Sequence, residues 1–164
     1  DPDPIIFFEP KKIYRAIKED VPEKEYSIPI GKAQIVKEGN DVTLITWGAW
    51  VKTAREAVEQ MQDISVEIID LLSLSPLDTE TIIKSVKKTG KCVIVQEAQK
   101  NCGLASEIIA RINEKAFYSL EAPIVRITGY DVVVPLRLYE DYYLPSHQKI
   151  IGAVEKVMKE TKEG

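Results

Sequence analysis

Few side chains in this sequence have the type and position to do chemistry, and most of them stand where an apolar run gives way to a loop. Asp70 and Glu97 end two β-branched apolar runs. As neighbours they would form a carboxylate pair suited to general acid and base work, although acids at strand ends also serve simply to bind loop amides. Cys102 beside Gly103 precedes a helical pattern, and a helix N-terminus lowers a thiol's pKa, which would ready a nucleophile. No histidine stands near it in sequence to act as base, so the plainer expectation is a small buried hydrophobe. The single histidine, His147, begins a helix among polar neighbours; zinc would need several His or Cys side chains converging, so it reads as a helix-start residue. Trp47, Trp50 and the group Tyr139, Tyr142 and Tyr143 read as packing or interface residues before they read as stacking platforms. Phosphate cradles are missing: no GxGxxG is present, and the GKA at Gly31 opens a strand where a P-loop would open a helix.

The elements that must position these residues repeat one unit. Lys91 to Phe117 shows it best: the continuous run Cys92-Val93-Ile94-Val95 reads as a strand covered on both faces. After a polar turn ending at Gly103, Ala105, Ile108, Ile109, Ile112 and Ala116 fall on one helical stripe. Strand, loop and helix together make most of a βαβ unit. The same pattern gives a strand at Val42 to Thr46, a helix carrying Val51, Ala54, Val58 and Met61, and a strand at Val66 to Asp70. A helix follows with Asp78 as N-cap, Glu80 in its first turn, Lys87 and Lys88 in its last, and Gly90 as stop. Ile124 to Thr128 is the next strand, Val132 to Tyr143 an irregular connection, and Ser146 caps a final helix with Ile150, Ile151, Val154, Val157 and Met158 on one face.

Residues 31 to 38 form a short edge strand, and the Gly39-Asn40 turn predicts that it pairs antiparallel with Val42 to Thr46. The fold class is therefore α/β, a three-layer sandwich around a five-stranded, mostly parallel sheet with one antiparallel edge strand. Residues 1 to 30 differ from the rest. A strand-like Ile5-Ile6-Phe7-Phe8 is followed by charge, with four prolines among the first 22 residues and then Pro29, as expected of a tail and linker from a preceding domain.

Composition limits the functions open to this fold. With 164 residues, of which 45% are hydrophobic, the chain supports one core. A net charge of −4 with interspersed signs gives no electrostatic footprint for nucleic acid or an anionic membrane. No apolar run approaches the ~20 residues of a membrane span, and no secretory signal opens the sequence. Cys92 and Cys102 lack CxxC spacing and read as reduced thiols of a cytoplasmic protein. The charge-rich stretches Lys11 to Glu25 and Lys156 to Glu163 read as solvated.

Taken in order, Phe7-Phe8-Glu9-Pro10-Lys11, Glu38-Gly39 with Val42 to Thr46, Glu67-Ile68-Ile69-Asp70-Leu71, Pro76-Leu77-Asp78, Ser85 to Gly90, Gly103 to Ile108, Leu120-Glu121-Ala122-Pro123 and Thr128-Gly129-Tyr130-Asp131 form a pattern. It resembles the C-terminal half of the β subunit of 2-oxoacid dehydrogenase E1 components, and FFEPK and GYD resemble the branched-chain versions most. The resemblance implies a transketolase C-terminal-like domain over residues 31 to 164, preceded by a remnant of a pyrimidine-binding domain and its linker. Such E1 enzymes are α2β2 assemblies that use thiamine diphosphate and magnesium to decarboxylate a 2-oxoacid and acylate the lipoyl group of E2. In the family the catalytic glutamate and the cofactor's aminopyrimidine belong to the N-terminal β domain, and the diphosphate and metal to α.

No catalytic, cofactor-binding or metal residue therefore carries over, and the isolated chain is expected to be inactive without cofactor of its own. The implied partners are the E1 α subunit, a second β subunit through self-association, and the E2 subunit-binding domain, a small basic module. Glu121 in the LEAP segment is the expected E2 contact. A different reading keeps an autonomous α/β module that binds a nucleotide or small anion at the carboxyl ends of the strands.

Overall fold

The computed structural model describes residues 2–18, 20–136 and 138–160. Its β-branched runs become strands and the stripes between them helices. The order is β1 (Gln34–Lys37), β2 (Val42–Thr46), α1 (Trp50–Glu59), β3 (Val66–Asp70), α2 (Thr79–Thr89), β4 (Cys92–Gln99), α3 (Leu104–Ala116), β5 (Val125–Gly129), α4 (Glu140–Tyr143) and α5 (His147–Glu160). The five strands lie in the order β1-β3-β2-β4-β5, with β3, β2, β4 and β5 mutually parallel and β1 antiparallel to β3.

The antiparallel edge strand stands as read from the sequence, but its partner does not. β2 has parallel neighbours on both sides, so no edge is left for a hairpin with β1. The Gly39-Asn40 segment instead carries the chain past the start of β3. There the amides of Asn40, Asp41 and Val42 donate to the Ser65 carbonyl at 3.1, 2.8 and 3.4 Å. A Cβ on Gly39 would lie 2.2 Å from the Glu67 backbone nitrogen, so only glycine passes there.

Helices cover both faces. On one, Leu44, Ile68, Val93 and Val95 meet Ala54 and Val58 of α1 and Ile150, Val154 and Val157 of α5. On the other, Ile45, Ile69 and Ile94 meet Ile82 and Val86 of α2 and Ile108 and Ile112 of α3. Full burial of each aliphatic side chain contributes roughly 1.5–3 kcal/mol, which makes these two layers the source of the domain's stability. α2 is bounded as its sequence predicts: the Asp78 carboxylate accepts the Thr81 N–H at 3.1 Å, and Gly90, at φ 69°, donates to the Val86 carbonyl at 2.9 Å.

The N-terminal segment joins no strand of this sheet among the described residues. Ile5 to Phe8 carries no regular secondary structure, and Ile6, Phe7 and Phe8 are more than three-quarters exposed. A single 3-10 turn at Lys11–Ile13 follows. The segment touches the domain at the start of α1, where the Lys12 ammonium lies 4.9 Å from the Trp50 ring centre and Lys52 donates to the Ala16 carbonyl. At the other end, residues 161–163 of the charge-rich stretch fall outside the described residues. Among the described residues no helix is long and apolar enough to cross a membrane.

Candidate functional site

The residues singled out at the strand ends do not converge. β2 lies between β3 and β4, so Asp70 and Glu97 are separated by two strand spacings, roughly 10 Å, and form no carboxylate pair. Glu97 accepts the indole N–H of the buried Trp50 at 3.1 Å. Asp70 is half-buried, its carboxylate accepts no hydrogen bond among the described residues, and burial pushes its pKa up to about 6. Cys102 is exposed, at φ 56°, and not the buried small hydrophobe expected. Cys92 is fully buried in β4, and burial pushes its thiol pKa up.

His147 opens α5 as read, and its Nε2 lies 2.9 Å from the Glu56 carboxylate on α1. That hydrogen bond is the main reason the Glu56 carboxyl is held below the usual range, so this histidine clasps two helices. Trp47, Trp50 and Tyr143 pack into the two cores, Tyr143 directly over Gly129, while Tyr139 and Tyr142 are exposed. Among the described residues no three His, Cys, Asp or Glu side chains are grouped to hold a metal ion.

Glu121 sits in a defined setting. α3 ends in a 3-10 turn at Phe117–Ser119, and the chain then doubles back so that the Glu121 N–H donates to the Gly90 carbonyl at 2.8 Å. Glu121 Oε2 is held by the Lys91 ammonium at 2.5 Å. The burial is one-sided: the Lys91 side chain is 10% exposed and that of Glu121 54%. Gly90 makes the approach possible, since a Cβ there would meet Glu121 Cδ at 2.7 Å. Beside the carboxylate runs a groove of about 670 Å³, lined by Ile109, Phe117, Tyr118, Leu120, Ala122 and Pro123. Phe117 and Tyr118, edge to face at 5.4 Å, stand exposed along it.

Its chemistry suits binding. It offers an anchored, half-exposed carboxylate as acceptor for a cationic side chain and an apolar trough for the carbon stem behind it. The motif marked Glu121 in the sequence, but its pairing with Lys91 joins positions 30 apart that carry no common signal. The groove likewise arises from a helix end and a turn meeting in space.

Residues 31–150 match the family model described as "Transketolase, C-terminal domain". The chain is 52% identical over 161 residues to the pyruvate dehydrogenase E1 component subunit beta of Acholeplasma laidlawii, covering 97% of this chain and 49% of that protein. It is 50% identical to the mitochondrial 2-oxoisovalerate dehydrogenase subunit beta of Dictyostelium discoideum, covering 95% of this chain and 43% of that one. The chain thus spans about half the length of the curated relatives it matches. A solved split-gene transketolase, described as an inactive β4 tetramer, superposes with a TM-score of 0.72 over 87% of this chain and 46% of its own, at 24% identity, a likeness of fold.

Proposed function

The chain belongs to the transketolase C-terminal-domain family, and from that premise we propose that it is the assembly and E2-docking domain of the β subunit of a 2-oxoacid dehydrogenase E1 component. In that reading the assembled enzyme oxidatively decarboxylates a 2-oxoacid in the cytoplasm and acylates the lipoyl group of E2, while this domain contributes surface and no reacting group. Thiamine diphosphate supplies the carbanion stabilisation when bound. In this reading thiamine diphosphate and magnesium belong to the assembled enzyme, held by its other domains. FFEPK and GYD favour a branched-chain substrate; relatives named for pyruvate and for 2-oxoisovalerate match at 52% and 50%, which supports the 2-oxoacid class as a whole.

The observation that carries the docking reading is the anchored Glu121 carboxylate at the rim of an apolar groove. A basic subunit-binding domain fits it: one cationic side chain on the free carboxylate oxygen, an apolar neighbour against Phe117 and Tyr118. Calorimetric titration with the E2 subunit-binding domain at two salt concentrations tests this. Salt-sensitive binding that Glu121→Gln weakens about tenfold is the expected result, the size of one charge-assisted hydrogen bond. Unchanged affinity in the variant removes Glu121 from the interface, and no binding by the unaltered chain removes the docking role.

A further inference from the structure

A second feature, on the far side of β5 from the Glu121 groove in chain order, is a notch of about 440 Å³. Lys100, Arg126, Thr128, Tyr130, Asp131 and Lys149 line it. It lies at the carboxyl end of β5, the end of a parallel sheet where ligands bind. Some cations of the fold, among them Lys52, Lys88, Lys91 and Arg111, are paired with carboxylates. Among the described residues none of the three notch cations is in an ion pair.

Arg126 Nη1 donates to neutral oxygens, Ser106 Oγ at 2.8 Å and the Lys100 carbonyl at 3.4 Å. Lys149 donates to the carbonyls of Tyr142 and Leu144 at 2.8 and 2.9 Å and lies 5.4 Å from the Tyr130 ring centre. The single acid of the lining, Asp131, accepts the Asn101 amide at 2.8 Å, which ties the loop after β4 to the loop after β5. Gln99 Nε2 on the Val132 carbonyl, at 2.6 Å, makes a second tie. The walls are therefore held in place before any ligand arrives, and their side chains sum to three positive charges against one negative.

The geometry points to a binding site for a phosphoryl group in this notch, with Lys100 and Arg126 as its principal donors and Lys149 as a fixed third charge. The excess of two positive charges matches a phosphate monoester, which carries about −1.5 to −2 at neutral pH. The volume falls within the ~300–1,000 Å³ of small-molecule sites, so a small phosphorylated compound fits better than a bare ion. Arg126 keeps Nε and Nη2 free of any described partner, and the guanidinium fork suits phosphate oxygens. This site is independent of the docking reading and shares no residue with the Glu121 groove.

Amide-resolved NMR titration of the whole chain with inorganic phosphate, then with glycerol phosphate, at ionic strength held constant with chloride, tests the site. Saturable shifts at Gly129, Tyr130 and Lys100 are expected, larger for the ester, with affinity falling about tenfold in Lys100→Gln and unchanged in Lys87→Gln. Lys100 makes no side-chain bond to any described residue, so its variant loses no fold contact. Phosphate shifts that match the ester's would reduce the ligand to free phosphate. Absence of saturation, or shifts that Lys100→Gln leaves unaltered, overturns the site.

Discussion

Asp70 shows what a single residue contributes against the fold. Its burial raises the folded-state pKa to about 6 from an ordinary 3.8, and no hydrogen bond among the described residues offsets that. Below the unfolded pKa both states are protonated and no penalty exists. As pH rises from about 4 through 6 the unfolded chain ionises first, so stability falls across that window and the penalty is complete above it. Two pKa units correspond to roughly 3 kcal/mol. Asp70→Asn is therefore expected to stabilise the chain at pH 7.5 by about 2 kcal/mol and to leave pH 4 unchanged, read from urea midpoints at the two pH values. Equal midpoints at pH 7.5 would show that Asp70 is better solvated than its position implies.

Glu121 calls for the conservative variant for a related reason. Glu121→Lys sets a second ammonium against the nearly buried Lys91, whereas Glu121→Gln leaves it an amide oxygen. The Gln variant should lose about 1–3 kcal/mol in urea unfolding, the worth of one charge-assisted hydrogen bond, and a binding defect measured under conditions where the melt shows it fully folded reports on docking and not on unfolding.

At the scale of elements, the crossing from β1 to β2 is the most demanding joint. Gly39→Ala drives a methyl into the backbone of Val66 and Glu67, which cannot turn aside as a side chain can. A loss of about 3 kcal/mol or more is expected from denaturant melts, the upper range for overpacking. Gly129 faces the Tyr143 ring instead, so Gly129→Ala should cost less than Gly39→Ala because a ring can shift. The reverse order would mean that the crossing yields more easily than the core.

This joint also shows where the sequence ran out. Helices α1, α2, α3 and α5 were legible because caps and stripes are local, and Asp78, Gly90 and the stripe from Ala105 to Ala116 fall where they were read. Strand order is not local. A Gly-Asn turn between two short strands writes a hairpin, and only the competition of β3 and β4 for both edges of β2 overrules it. The same blindness set Asp70 and Glu97 side by side when β2 divides them, and hid Gln96. That buried side chain spans from the Gln99 carbonyl to the Ala105 amide and shapes the loop before α3.

For the molecule as a whole, the informative surface is apolar. Ile6, Phe7 and Phe8 are 80–83% exposed, and Val133, Leu136 and Leu138 are 86–91% exposed. Scattered apolar residues are ordinary on a surface, but consecutive ones mark contact surfaces. Neither stretch belongs to a covered layer of the sandwich, and an apolar run in sequence reads the same whether it enters this sheet or meets another chain. The chain by itself is therefore expected to self-associate, at least to a dimer, when its mass is read by light scattering at micromolar concentration. Phe7→Asp with Phe8→Asp and, separately, Leu136→Asp with Leu138→Asp identify which stretch is responsible. Both pairs alter residues outside the two cores, so folding should persist and only mass should change. Loss of association in the second pair alone would assign the contact to the loop between β5 and α4 and leave the N-terminal run to a different neighbour. A monomeric mass for the unaltered chain would mean that both stretches await a partner other than a second copy.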